Sequence, residues 1–177
     1  MTEEVRRGSS RAAVLRQSMW VGLSTAPVGV SFGALSVTAG LTLGQTCALS
    51  VLMFTGGSQI AFVGVVAGGG GGVAAAATAG LLGVRNGFYA LQMAPLLRAR
   101  RWRRPLAVQL TIDESTAVAA SQPERDLSRL GFWATGTAVF VFWNLTTVIG
   151  ALAGNLAGDP RTYGLDAASA AAFLGLL

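Results

Sequence analysis

The fold class predicted by this sequence is all-α: a polytopic integral membrane helix bundle of about five to six hydrophobic spans, some broken or re-entrant. Three observations predict it. From Gln17 to Val84 the chain runs 68 residues without one charged side chain, over three times the roughly 20 apolar residues that carry a helix across a bilayer. A second uncharged run covers 130–158 and a third 167–177. Charge is otherwise scarce, at 12% of residues against 52% hydrophobic. With 177 residues there is room for one membrane domain, 18–177, behind a polar, Arg-bearing tail over 1–17.

The elements follow in order. Arg6, Arg7, Arg11 and Arg16 precede an apolar stretch, the order of a secretory signal, but Pro27 interrupts it and the chain beyond is equally hydrophobic, so it reads as the first span, 18–40. Residues 45–67 form a second block, broken at Thr55-Gly56-Gly57-Ser58-Gln59. Five glycines, 68–72, read as a flexible connection before the third block, 73–97. The Arg98–Arg104 segment is the densest charge and carries Trp102, suited to the headgroup layer; positive-inside logic makes it cytoplasmic. A weaker fourth span is expected over 105–121 and a fifth over 130–154. The last run, 168–177, reaches about half a bilayer at ~1.5 Å per residue and reads as an incomplete sixth.

One conflict is visible at this level. If each of the first three blocks crosses once, the Arg-bearing tail and Arg98–Arg104 fall on opposite sides, against the positive-inside rule. Re-entry of one block, with the broken second block as candidate, would remove it; so would compensation of the tail by Glu3 and Glu4, and a breach of the rule is the third option.

Composition excludes several functions. No histidine is present, which removes Ser-His and Cys-His dyads, and with Cys47 as the only cysteine it leaves no basis for a zinc site or an intrachain disulfide. An intramembrane aspartyl enzyme needs two Asp on separate spans, and Asp113 is the only one inside a span. No enzyme, metal or cofactor is therefore expected. The net charge of +5 sits in blocks beside hydrophobic spans, so its counter-charge is anionic lipid in the bilayer and not nucleic acid.

Polar groups kept inside a membrane are costly, and they mark the candidate working parts. Gly56, Gly57, Ser58 and Gln59 would break the second block, offering half-helix ends to a substrate or simply close helix packing. Arg85 is the sole charge between Gln17 and Arg98, with Asn86 beside it and Tyr89 one turn on. About 20 Å of helix separates Arg85 from Arg98, too far for the side chain to snorkel to that boundary. Asp113 and Glu114 are neighbours pointing roughly 100° apart, so one can neutralise Arg85 while the other titrates; alternatively, both are interfacial.

Taken in order, Phe54-Thr-Gly-Gly-Ser-Gln59, Val84-Arg-Asn-Gly-Phe-Tyr-Ala-Leu91 with Met93-Ala-Pro95, and Thr111-Ile-Asp-Glu-Ser115 resemble the AzlC family of branched-chain amino acid permeases, as do Trp143-Asn144 with Gly150 and Gly154. The resemblance covers roughly 18–177. It implies export of branched-chain and similar neutral amino acids across the plasma membrane, together with a small AzlD-type membrane partner, and it points to Gly56, Gly57, Gln59, Arg85, Tyr89, Asp113 and Glu114. Many members have Asn where Gly83 stands and His where Asn86 stands, so specificity can differ here. Family members usually continue beyond the point matching Leu177, which implies a short C-terminus. The competing expectations are a membrane scaffold that does not transport, or an inactive fragment.

Overall fold

The computed structural model describes residues 3–157, with side chains described from Ser10 onward; the expected incomplete sixth span lies outside the described residues. These residues are helical throughout, without a strand: α1 (Glu3–Ser24), α2 (Ala26–Thr38), α3 (Leu43–Leu52), α4 (Gly56–Ala67), α5 (Gly72–Leu97), α6 (Arg104–Gln109), α7 (Asp113–Ala120) and α8 (Arg125–Ala157), plus a 3₁₀ turn at Arg101–Arg103. Helix α1 takes in most of the expected polar tail.

Two stretches, Ser10–Thr38 and Arg125–Leu156, are long and apolar enough to cross a membrane. Helix α5 has the length, at 26 residues, but Arg85 and Asn86 lower its hydropathy. Polarity is arranged inside out relative to a water-soluble protein. Ser31, Ser36, Thr46, Ser50, Ser58, Gln59, Ser115, Thr135 and Thr147 are buried, whereas Leu52, Val73, Leu81, Phe88, Leu91 and Leu156 are exposed. Small and hydroxyl side chains between helices with large apolar ones outside is the pattern that packing against lipid favours.

The chain forms two compact units. The first holds α1, the C-terminal half of α5, α6, α7 and the first half of α8. Here the expected fourth span is not a span. Gln109 ends α6, Leu110-Thr111-Ile112 break the helix, and α7 restarts at Asp113. Helix α6 enters alongside α5, and the two share a cavity of about 470 Å³ lined by Ala90, Ala94, Leu97, Arg104 and Val108. Helix α7 then returns, with Ala119 meeting Met93 and Phe132 in a buried cluster that Leu96 and Trp133 flank.

 Pro105 in the first turn of α6 costs no hydrogen bond there. The acids at the start of α7 suit the positive end of its dipole.

Hydrogen bonds tie the first unit together. Gln122 reaches Gln17 of α1 at 3.3 Å, Ser18 and Thr135 are bonded at 2.9 Å, and Arg129 Nε donates to the Leu96 carbonyl at 2.8 Å. The second half of α1, the end of α5 and the first half of α8 therefore lie together.

The second unit holds α2, α3, α4, the N-terminal half of α5 and the rest of α8. Helix α3 opens on a capping box in which Thr42 N–H donates to Gln45 Oε1 at 2.8 Å and Gln45 N–H to Thr42 Oγ1 at 3.3 Å. It stops at Leu52, and after Met53-Phe54-Thr55 the chain turns back as α4. A cavity of about 850 Å³ records the reversal, since Gln45, Leu49 and Met53 of the incoming arm line it together with Phe62, Val66 and Gly70 of the outgoing one. The second block is thus a helical hairpin.

Two glycines end helices in this unit. Gly40 (φ 96°) follows α2 and Gly69 (φ 83°) follows α4. Each sits in the left-handed region while the next residue bonds back, Leu41 to Ser36 and Gly70 to Val65. The run of five glycines, expected to be a flexible connection, therefore contains an ordered helix stop. Close backbone packing accounts for four more. A Cβ on Gly33 would strike the Thr147 carbonyl and one on Gly150 the Val30 carbonyl, while Gly29 and Gly154 abut Thr146 and Val37. Both pairs have GxxxG spacing, the small-residue interface of membrane helices.

Candidate functional site

Each hairpin brings polar groups to its tip, inside its own unit. In the first unit the tip carries Asp113 at the first residue of α7, and Arg85 of α5 holds it, Nη2 to Oδ2, at 2.8 Å. Tyr89, one turn on, donates its hydroxyl to Asp113. Glu114 turns back on its own backbone N–H. The break is closed by Ser115, whose Oγ accepts from Ile112 N–H at 3.2 Å and donates to the Leu110 carbonyl at 2.6 Å. Gly136 admits the tip, because a Cβ there would stand 2.9 Å from Leu110 Cβ.

About 18 Å of helix lies between Arg85 and the end of α5. The ion pair therefore sits well away from the basic end of its unit. Pairing offsets part of the cost of holding a guanidinium among apolar neighbours, since each charge supplies solvation that the other loses. Among the described residues, Arg85 Nε and Asn86 Oδ1 are buried atoms with no hydrogen-bond partner.

In the second unit the tip is built around Gln59, which is fully buried. Its Nε2 donates to the last carbonyls of α3, Met53 at 2.7 Å and Ser50 at 3.2 Å, and its Oε1 accepts the Trp143 indole N–H at 2.9 Å. Ser50 Oγ bonds Thr147 at 3.3 Å, and the Trp143 ring stacks on Phe32 with centroids 6.0 Å apart. Gly56 lies under that indole, where a Cβ would be 3.1 Å from the ring. Gly57 and Ser58 are buried beside it.

Of the residues expected to carry the chemistry, Arg85, Tyr89 and Asp113 are joined in one cluster. Asn86 and Glu114 flank it in sequence. Gly56, Gly57, Ser58 and Gln59 gather at the other tip, in the second unit. Ser115, Trp143 and Thr147 hold the tips in place and were not singled out as candidates; a serine as the third residue of the helix after each break was the available signal for Ser115.

These features define a class: an all-helical protein of membrane type whose helices break at polar and ionisable groups. The family model described as AzlC protein matches residues 21–157. The chain belongs to the AzlC family, and that membership gives it a role connected with membrane transport. No curated protein and no solved structure matches it.

Proposed function

We propose that this chain is a multi-pass permease of the plasma membrane that exports branched-chain and related neutral amino acids. It acts as the larger subunit beside a small AzlD-type membrane protein, and it is a carrier, not an enzyme. The observation that carries this reading is the Arg85–Asp113 pair, with Tyr89, at the tip of a broken helix. A protein that needed only to fill a bilayer would have no use for it. The substrate carboxylate is taken by Arg85 or by the N-terminus of α4, and apolar helix faces receive the side chain. Asp113, which holds Arg85, and its neighbour Glu114 are the groups through which proton coupling would run. The Arg98–Arg104 segment is cytoplasmic by the positive-inside rule.

The test is efflux of preloaded labelled leucine, isoleucine and valine from cells expressing the chain with and without a small membrane partner. Export that disappears in Arg85→Ala, from protein still inserted in the membrane, supports the reading; unchanged export in that variant removes Arg85 from the mechanism.

A second reading, a scaffold subunit without transport activity of its own, is favoured by Gln59. Its hydrogen-bonding groups are engaged within the protein. Efflux by the chain alone would exclude it.

A further inference from the structure

The two hairpins follow one plan with one difference. In both, a three-residue break precedes a helix whose third residue is serine, Ser115 in α7 and Ser58 in α4. Side chains tilt toward a helix's N-terminus, so serine at this position is directed back over the break. Ser115 does so and is consumed there, bonding Ile112 and Leu110. Ser58 is 1% exposed, and among the described residues its Oγ has no hydrogen-bond partner. Gly83 of α5 packs beside that oxygen, where a Cβ would stand 3.5 Å from it.

The ends of the two helices differ in the same sense. Helix α7 begins with Asp113 and Glu114 and carries its own negative charge. Helix α4 is 12 residues long and begins with Gly56 and Gly57, and the side chain of its N-cap, Thr55, makes no capping bond. Thr55 Oγ1 is also buried without a partner among the described residues. The first N–H groups of a helix have no intrahelical acceptor, and with the dipole they favour an anion.

We propose that the N-terminus of α4, with the hydroxyls of Ser58 and Thr55, is the subsite that holds the substrate's carboxylate. This rests on the amino acid carrier reading and decides between the two holders it left open. Arg85 already has a carboxylate, that of Asp113, whereas α4 presents donors and no acid. The ligand class is a compound bearing one free carboxylate, and its amino group plays no part at this end.

The experiment is isothermal titration of the purified full chain in detergent micelles with leucine, isoleucine and valine, with 4-methylpentanoate, which keeps leucine's carboxylate and lacks its amino group, and with 3-methylbutylamine, which keeps the amine and lacks the carboxylate. Leucine and 4-methylpentanoate should bind, the amine should not, and Ser58→Ala should weaken both carboxylates about tenfold, a fold-change of the size expected for one hydrogen bond to a charged group. Ser58→Thr keeps the hydroxyl and should restore affinity, which separates loss of the donor from loss of the fold. Unchanged carboxylate affinity in Ser58→Ala overturns the subsite while leaving the carrier reading in place. Binding of 4-methylpentanoate but of no amino acid, lost in Ser58→Ala, would retain the subsite and remove the amino acid reading. Failure of every carboxylate to bind the folded wild-type chain overturns the subsite.

Discussion

Trp143 on α8 donates its indole N–H to Oε1 of Gln59 on α4 at 2.9 Å, while the amide of the same Gln59 caps the end of α3. One side chain thus holds both arms of a hairpin to a long helix. Gln59→Leu leaves the α3 carbonyls and the indole N–H unpaired and should cost about 2–4 kcal/mol, and Trp143→Phe, which removes one bond, about 1–2 kcal/mol. Thermal unfolding in detergent should rank them in that order.

Arg85 and Asp113 act as a pair, so their substitutions should not add. Arg85→Ala or Asp113→Ala alone leaves a charge without its partner, and the double variant removes both. The expected coupling is of order 1–3 kcal/mol in a double-mutant cycle of unfolding free energies. Additive effects would mean that the contact contributes nothing to stability.

The close approach of α2 and α8 predicts a contrast between glycines. Gly33→Leu and Gly150→Val drive a side chain into backbone and should prevent accumulation of folded protein. Gly44→Ala on α3 has open space and should be neutral or stabilising by up to about 1 kcal/mol. Membrane-fraction yield and unfolding temperature report both.

Gly69 is the member of the glycine run that needs its left-handed conformation. Gly69→Ala should cost about 1 kcal/mol, while Gly71→Ala, with open space and no such requirement, should change little. Arg98 lies at φ 42° after α5, so Arg98→Gly should stabilise by a similar amount.

The helical class and the long apolar stretches were legible because charge is absent over whole spans, a signal that depends on composition alone. The position of the first break was legible too, since Gly56-Gly57 is a poor choice for a helix interior in a membrane; the second, at Leu110-Thr111-Ile112, was not. Nor was it legible whether a break leads onward or turns back. Thr111-Ile112 read as the middle of a fourth span, yet the direction of α7 is set by Ala119 packing on Met93 and Phe132, residues distant in sequence.

The same division holds for the site. By itself the sequence determined that Arg85 and the Asp113-Glu114 pair would be kept among apolar neighbours, because their chemical types and their isolation are properties of the chain. Tertiary structure alone decided that Asp113 is the acid that meets Arg85, that Gln59 closes a hairpin against Trp143, and that Ser58 is left free where Ser115 is spent. Hydrogen bonds and ion pairs act over about 3 Å, and no spacing along the chain specifies which groups the folded helices bring that close.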